Sequence, residues 1–259
     1  MYRHHRITVV MPVHNEQTQV RLAIARVPSF VDHIVAVDDG STDDTLKLLK
    51  QNPDRRLIVI EHSRNLGVGA ATKTGYRRAL LTGADLIAVM DGDGQMDGND
   101  LHRLLDRALG GTDYVKGNRF LDTKSITTMP RMRFIGNLVF SYLTRIAASF
   151  AESLDAHCGY TVINRQALER LQLDRLYDRY GFPTEMFFAA NRAGLSITSV
   201  SVATIYGDEV SGINPLTTVP TVFFLIARNC LRRQRSIRRS RENAFKSVSV
   251  ECAEYHLEA

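Results

Sequence analysis

The chain has 259 residues, of which 44% are hydrophobic, and a net charge of +5; this suits one large α/β domain with an appendage, although two small domains would also fit. The three cysteines (Cys158, Cys230 and Cys252) have no metal or disulfide spacing, which excludes a cysteine-stapled fold and favours a reducing compartment. The basic start, Met1–Arg6, leads directly into a predicted strand, so we expect no signal peptide and a cytoplasmic protein.

The first half of the chain repeats one unit, in which an apolar, β-branched run is followed by a polar turn and then by a stretch with helical spacing. Strands that alternate with helices in this way predict a mainly parallel sheet with helices on both faces. The predicted strands are Ile7–Met11, His33–Val37, Leu57–Ile60, Leu86–Met90 and Tyr114–Lys116. The predicted helices are Thr18–Arg26, Asp43–Gln51, Val68–Leu81 and Asn99–Leu109.

The second half of the chain has fewer strand patterns. Long helices are predicted over Met132–Phe150 and Pro183–Ala193, and short strands over Tyr160–Ile163 and Leu195–Val202. A mostly apolar stretch, Leu216–Ala227, then precedes an arginine-rich segment. We therefore divide the chain into an α/β domain at 1–214, an amphipathic and basic extension at 215–246 and an unassigned tail at 247–259.

Polar residues follow three of the predicted strands. In open parallel sheets, ligands bind outside the carboxyl ends of the strands. Each cluster alone could be a turn with a helix N-cap, but three clusters at strand ends expected to be neighbours favour one shared site. The clusters are Pro12, His14, Asn15 and Glu16; Asp38, Asp39, Gly40, Ser41 and Thr42; and Asp91, Gly92, Asp93, Gly94 and Gln95.

The Asp91-Gly92-Asp93 element is the strongest candidate for chemistry. Two carboxylates one residue apart can present oxygens to Mg²⁺ or Mn²⁺, which binds through one or two carboxylates plus substrate phosphates. Such an ion would neutralise a departing diphosphate. A calcium-binding loop is excluded, because Met96 and His102 replace its glycine and glutamate. A plain turn or a solvated acidic loop stays open.

Other nucleotide-binding motifs are not indicated. The glycine-containing run Asn65–Ala70 follows the third strand rather than opening the fold, and Thr72 replaces the last small residue of a dinucleotide fingerprint. The sequence contains no Gly-x-x-x-x-Gly-Lys-Ser/Thr run, so a P-loop kinase is not expected. We interpret the run as a tight turn that allows close packing of the next helix.

Several segments carry a resemblance to a known family. Val10–Glu16, Val37–Asp43, Asn65–Gly67 and Asp91–Gln95, in this order, closely resemble the inverting family 2 glycosyltransferases of GT-A fold. Gly117–Phe120, Arg133–Asn137, Asp155–Tyr160 and Gly181–Glu185 look like the dolichol-phosphate mannose synthase branch of that family. The chain departs from this branch at Cys158-Gly159-Tyr160, where Ser-Gly-Phe is usual, and after Ser211–Ile213, where a basic residue often follows. The resemblance implies inverting sugar transfer from a nucleotide diphosphate donor to a polyprenyl (dolichyl or undecaprenyl) phosphate.

The resemblance also implies roles for individual residues. The nucleotide sugar would be bound by Pro12, His14, Glu16, Asp38, Asp39, Asp91 and Gly92. Mg²⁺ or Mn²⁺ would be held by Asp91, Asp93 and Gln95, and the acceptor phosphate by Arg119, Arg133 and Asn137. The catalytic residues would be Asp155, Arg119 and Glu185. A phosphate acceptor can attack without a strong base, whereas a hydroxyl acceptor would need Asp155 or Glu185 as the base. Glu185 could also be a plain first-turn helix carboxylate, and Arg133 part of a solvated helix face.

The end of the chain is strongly basic. Residues 228–246 hold seven arginines and Lys246 against only Glu242, a net charge of +7, so the rest of the chain sums to −2. Leu216–Ala227 is too short to span a bilayer, which needs about 20 apolar residues. With the arginines it predicts a helix on an anionic membrane surface, peripheral on the cytoplasmic face. A solvated helix or a disordered end stays open. Nucleic acid is a less favoured partner, because Phe245 is the only aromatic residue in the basic run.

Two other functions stay open on the sequence alone. The first is a family 2 glycosyltransferase that acts on a soluble or polysaccharide acceptor, which membrane co-sedimentation would distinguish. The second is a non-catalytic nucleotide-sugar or nucleic-acid binding protein, which a test for metal-dependent donor hydrolysis would distinguish.

Overall fold

The fold was obtained as a computed structural model, which describes residues 1–152, 155–205 and 219–232. Its strands are β1 (Ile7–Val13), β2 (His33–Asp38), β3 (Leu57–Glu61), β4 (Leu86–Val89), β5 (Tyr114–Asn118), β6 (Thr161–Asn164) and β7 (Ile197–Ser201). They form one sheet in the order β3-β2-β1-β4-β6-β5-β7. Within the sheet β6 is antiparallel to both of its neighbours, and the remaining pairs are parallel. The predicted mainly parallel α/β class is therefore confirmed.

Helices cover both faces of the sheet. Side chains of α3, α6, α8 and α9 share one apolar cluster on one face, while α1 and α4 contribute to a second cluster on the other. The helices are α1 (Val20–Ala25), α2 (Thr45–Lys50), α3 (Val68–Leu81), α4 (Leu101–Leu109), α5 (Thr123–Thr128), α6 (Arg131–Ala148), α7 (Arg165–Glu169), α8 (Phe182–Arg192) and α9, residues 219–232.

Strand β1 lies near the middle of the sheet, and all seven of its residues are buried. A strand that is covered on both faces has a continuous apolar run rather than an alternating one. Helix α3 crosses β1 so closely that a Cβ on Gly75 would lie 2.2 Å from Cγ1 of Val10. Glycine is needed at this position for the helix to reach the sheet.

Of the segment predicted as a membrane-proximal extension, residues 219–232 are described, and they pack on the core. Val222 and Leu225 of α9 are fully buried, and a Cβ on Gly181 would meet Cδ1 of Leu225 at 2.7 Å. The helix therefore packs directly over the start of α8. The proposed boundary at 214/215, the departure at Ser211–Ile213, the arginines after residue 232 and the tail at 247–259 lie outside the described residues.

Candidate active site

The three polar clusters meet at one edge of the sheet. Val13 of β1 pairs with Asp38 of β2, and Val10 pairs with Val89 of β4, so the chain leaves these strands side by side. The residues that follow them border a cleft of about 680 Å³. Of the residues predicted to bind the nucleotide sugar, the cleft is lined by Pro12, His14, Glu16, Asp39, Asp91 and Gly92; Asp93 lines it as well.

The two aspartates after β2 have different surroundings. Asp39 lines the cleft and accepts hydrogen bonds from the backbone N–H groups of Leu66 (3.0 Å) and Gly67 (2.7 Å), and its Oδ1 lies 2.7 Å from Nδ1 of His62. Asp38 is buried and accepts from the N–H of Ser41 at 3.1 Å; it is not among the residues that line the cleft. Asp39 therefore joins the end of β2 to the loop that leads into α3, whereas Asp38 shapes its own turn.

Replacing Asp39 with Ala is expected to weaken binding of the free nucleoside diphosphate as well as of the full donor, because the cleft loses both a carboxylate and the anchor of the Leu66–Gly67 turn. Each lost hydrogen bond to a charged group contributes about 1.5–3 kcal/mol, so a loss of about tenfold or more in affinity is expected. Calorimetry with UDP and GDP measures this loss. Asp44→Ala, on the exposed side of the same loop, is the control; a loss confined to sugar-dependent binding would contradict the assignment.

Negative charge is concentrated at Asp91. Burial, together with the carboxylates of Asp93 and Glu16, raises the pKa of Asp91 to about 7, while Arg119 acts in the opposite direction. The backbone N–H of Gln95 donates to Oδ1 of Asp93 at 2.9 Å. Crowded carboxylates of this kind suit a divalent cation, which would offset their repulsion.

A closed protein cage for a metal is not found in the described part of the chain, where no group of three or more His, Cys, Asp or Glu side chains is arranged to hold an ion. Two carboxylates with an amide nearby instead match the way Mg²⁺ or Mn²⁺ binds when substrate phosphates complete its shell. Asp91, Asp93 and Gln95 therefore fit the predicted ion, and their ligand roles remain a prediction.

A second cavity of about 230 Å³ adjoins the cleft and shares Asp91 and Asp93 with it. Gln95, Arg119 and His157 also line this cavity. The carboxylate pair thus stands where the two spaces meet.

The loop that carries His157 approaches the carboxylate pair closely. A Cβ on Gly159 would lie 2.8 Å from Oδ2 of Asp91, so a larger residue would displace the carboxylate. This contact accounts for the glycine between Cys158 and Tyr160.

Arg119 and Asp155 form a buried ion pair beside the second cavity. Nε of Arg119 donates to Oδ2 of Asp155 at 2.6 Å, and Nη2 donates to Oδ1 at 3.0 Å. Burial favours the neutral acid, but the Arg119 guanidinium outweighs it and holds the pKa of Asp155 below its usual value. A fully buried carboxylate bound on both oxygens is poorly suited to accept a substrate proton. The geometry therefore favours a positioning role for Asp155, which holds Arg119 in place, rather than the predicted role of Asp155 as a catalytic base.

Glu185 is not brought to either cavity. It is fully buried in α8, where its carboxylate lies 2.8 Å from Nη2 of Arg228 and 3.5 Å from Nη1 of Arg232, and Nδ2 of Asn229 donates to it at 2.8 Å. Arg192 lies 3.9 Å away. The structure therefore places this candidate base as the anchor of α9, where it pairs with two arginines of the basic segment. Spacing alone could not reveal this, because the partners lie about forty residues apart on separate helices.

The two remaining acceptor-phosphate candidates lie on α6. Asn137 is half-buried, with its Nδ2 4.0 Å from Sδ of Met129, and the side chain of Arg133 lies outside the described residues. Asn137 lines neither cavity. The phosphate-binding role of both residues stays a prediction.

Several residues that line the cleft received no role from the sequence, among them Tyr177, Arg179, Tyr180 and Thr221. The first three lie directly before the matched segment Gly181–Glu185, in a stretch that carried no motif of its own. Thr221 belongs to α9, and only the packing of that helix brings it to the site. His157, in the second cavity, was part of a matched segment but received no role.

Comparisons with known proteins agree with the geometry. The sequence model of Glycosyl transferase family 2 matches residues 8–172. The UDP-N-acetylglucosamine–dolichyl-phosphate N-acetylglucosaminyltransferase of Methanococcus voltae is 29% identical over 216 residues, covering 77% of this chain and 86% of that protein. The polyprenol monophosphomannose synthase of Mycolicibacterium smegmatis is 30% identical over 207 residues, covering 76% of each chain.

A solved structure supports the fold. Glucosyl-3-phosphoglycerate synthase from Mycobacterium tuberculosis, in complex with Mn²⁺, UDP-glucose and phosphoglyceric acid, matches with a TM-score of 0.64 and 20% identity, covering 88% of this chain and 80% of that chain. At this level of identity the likeness concerns the fold alone.

Proposed function

This chain belongs to glycosyl transferase family 2, and from that premise we propose that it transfers a sugar from a nucleotide diphosphate donor to a polyprenyl phosphate, with inversion at the anomeric carbon. The observation that carries the proposal is the position of Asp91 and Asp93 between two adjoining cavities. One cavity is large enough for a nucleotide, and the other adjoins the point where its diphosphate would end.

The donor side of the proposal rests on the larger cleft. Its walls offer Asp39 and Glu16 for hydrogen bonds to a nucleoside, while Asp91, Asp93 and Gln95 would hold the ion next to the diphosphate. When bound, Mg²⁺ or Mn²⁺ would neutralise the charge that develops on the departing diphosphate. The Mn²⁺ and UDP-glucose named for the glucosyl-3-phosphoglycerate synthase complex support this choice of ligand and ion.

The acceptor side of the proposal rests on the smaller cavity. Arg119 lines it and is held rigidly by Asp155, and a guanidinium suits recognition of phosphate oxygens. A phosphate is already anionic at neutral pH, so attack on the sugar needs positioning more than a general base. The two relatives are named for dolichyl-phosphate and polyprenol acceptors, which supports the same class.

A donor panel tests the first half of the proposal. Thermal unfolding is followed with UDP-N-acetylglucosamine, UDP-glucose and GDP-mannose, each with Mn²⁺ and with EDTA. We expect at least one donor to raise the melting temperature by a few °C in Mn²⁺ only, because a ligand that binds the native state stabilises it. If no nucleotide sugar shifts the transition in Mn²⁺, the proposed donor class is wrong.

We also propose that the enzyme acts at the cytoplasmic surface of a membrane, where a polyprenyl phosphate would present its headgroup. No helix in the described ranges is both long and apolar enough to cross a bilayer. Helix α6 instead exposes one apolar face, and α9 exposes two phenylalanines beside it; Phe140 of α6 contacts Phe223 edge-on at 5.1 Å. The exposed residues are Met132, Ile135, Leu138, Val139, Tyr142 and Ile146 on α6, and Phe223 and Phe224 on α9.

Vesicle flotation tests this surface. Replacing Ile135 and Val139 together with Asp is expected to lower binding to phosphatidylcholine vesicles that contain phosphatidylglycerol by about tenfold or more, because each buried apolar side chain contributes about 1.5–3 kcal/mol. Leu81→Asp, at an exposed position of α3, is the matched control and should bind as the wild type does. Truncation before α9 is a poor test, because it would also remove the buried Val222 and Leu225.

The salt dependence of flotation completes the test. Binding should be weaker at high salt, because salt screens the attraction between the arginines and anionic lipid headgroups. The part of the binding that comes from the apolar face should remain at high salt. A wild-type chain that stays unbound with and without anionic lipid, at low and at high salt, would contradict membrane docking and favour a soluble acceptor.

A further inference from the structure

The imidazole of His157 lines the smaller cavity, and its Nδ1 is buried without a hydrogen-bond partner among the residues that the structure describes. The ring stacks nearly parallel to Tyr180, with centroids 6.4 Å apart, and meets Phe140 edge-on at 5.5 Å. Buried polar atoms almost always have a hydrogen-bond partner, so an orphaned nitrogen in a cavity wall calls for an explanation. The ring itself lines the cavity, so a ligand that enters the cavity would contact it.

The charge state of the ring narrows the choice of ligand. Burial, assisted by the positive charges of Arg119 and Lys116 and opposed by Asp155, lowers the pKa of His157 to about 4. The ring is therefore neutral at neutral pH, with one N–H donor and one acceptor nitrogen. A neutral imidazole adds no charge to attract a phosphate, but it pairs well with a hydroxyl group, which both donates and accepts.

The loop around His157 is held in place from several sides. Nζ of Lys116 donates to the carbonyl of Cys158 at 2.9 Å, and the N–H of Ala156 donates to Oγ of Ser141 at 3.0 Å. Asp155, at the start of the loop, is bound by Arg119. A ring on such a fixed loop can discriminate between ligands, because it cannot move away from a poor match.

We propose that His157 hydrogen-bonds a hydroxyl of the donor sugar and thereby helps to select which sugar is transferred. This rests on the proposed function, which places the diphosphate at Asp91 and Asp93. The cavity that His157 lines begins at those two residues, so the sugar attached to the diphosphate would extend into it. No role for this histidine follows from its place in the matched segment.

Calorimetry in Mn²⁺ tests the inference on the full chain. The ligands are UDP-N-acetylglucosamine, UDP-glucose, GDP-mannose, analogues of the tightest of them that lack a single sugar hydroxyl, and the matching nucleoside diphosphate. His157→Phe keeps the ring packing against Phe140 and Tyr180 but removes both nitrogens, whereas His157→Asn restores a polar atom near the position of Nδ1. His102→Phe, at an exposed position of α4, is the control.

We expect the wild type to bind one deoxy analogue about tenfold or more less tightly than its parent, because a site built to bind a hydroxyl rejects a ligand without it. His157→Phe should lose that one preference, His157→Asn should keep part of it, and all variants should bind the nucleoside diphosphate within about twofold of the wild type. A His157→Phe variant that keeps every wild-type preference, or that loses nucleoside diphosphate affinity as strongly as donor affinity, would overturn the inference. Failure of the wild type to bind any of the three donors would instead contradict the proposed function, and the inference with it.

Discussion

Asp93→Asn is expected to lower donor affinity in Mn²⁺ at least about tenfold, which corresponds to about 1.4 kcal/mol. The substitution keeps the size of the side chain but removes one of the two carboxylates that would share the ion with the diphosphate. The effect on transfer should be larger than the effect on binding, since the ion would contribute most where charge develops on the departing diphosphate.

Removing the metal should reverse the sign of this effect. With EDTA present, the wild-type cleft presents Asp91, Asp93 and Glu16 to an anionic donor, and loss of one carboxylate relieves that repulsion. Asp93→Asn should then bind the donor as well as the wild type does, or better. Calorimetry of both proteins with Mn²⁺ and with EDTA measures whether the order of their donor affinities reverses.

Asp97→Asn is the matched control for this experiment. Asp97 lies in the same loop, where its side chain accepts from the N–H of Asn99, and it lines neither cavity. Its replacement should leave donor affinity unchanged. Equal metal-dependent affinity in the wild type and in Asp93→Asn would show that this carboxylate pair does not couple the ion to the donor.

The second large effect is expected at the buried ion pair. Arg119→Ala leaves the fully buried carboxylate of Asp155 without its partner, and loss of one member of a buried pair costs about 3–5 kcal/mol of the free energy of unfolding. Urea unfolding measures this loss. Lys50→Ala, which removes an exposed pair with Glu61, should change stability by no more than about 1 kcal/mol.

A double variant separates stability from function at the same site. Arg119→Met combined with Asp155→Leu removes both charges and should recover most of the lost stability, because an apolar replacement of a buried pair is often neutral or stabilising. If Arg119 binds the acceptor phosphate, this variant should still bind the donor but fail to use a polyprenyl phosphate. Full activity of a stable double variant would show that the pair is structural only.

The early part of the fold could be predicted because its signals are local. The apolar runs that become β1, β2 and β4 are separated by helical spacing, and parallel pairing then brings their carboxyl ends together. The helix at Val68–Leu81 has the predicted bounds. The position of β6 could not be predicted in the same way: it lies between β4 and β5 and is antiparallel to both, and a short apolar run gives no sign of its neighbours.

The candidate site likewise has a part that could be predicted from the sequence and a part that could not. The cluster around Asp91 is visible in the sequence, because its two carboxylates are separated by one residue and follow a strand. The surroundings of Glu185 and Thr221 depend on how α9 packs on α8, which periodicity does not report. A matched motif placed Glu185 among the catalytic candidates. In the structure its carboxylate instead binds Arg228 and Asn229, which joins α8 to α9.

The proposed reaction is tested most directly by following a labelled sugar from donor to lipid. The full-length chain is incubated with undecaprenyl phosphate in vesicles, Mn²⁺ and each radiolabelled nucleotide sugar of the panel, and the mixture is partitioned between water and an organic solvent. We predict that label from at least one donor enters the organic phase, that EDTA prevents it, and that Asp93→Asn greatly reduces it. Label that stays in the aqueous phase with every donor, in a preparation whose donor binding is intact, would contradict transfer to a polyprenyl phosphate.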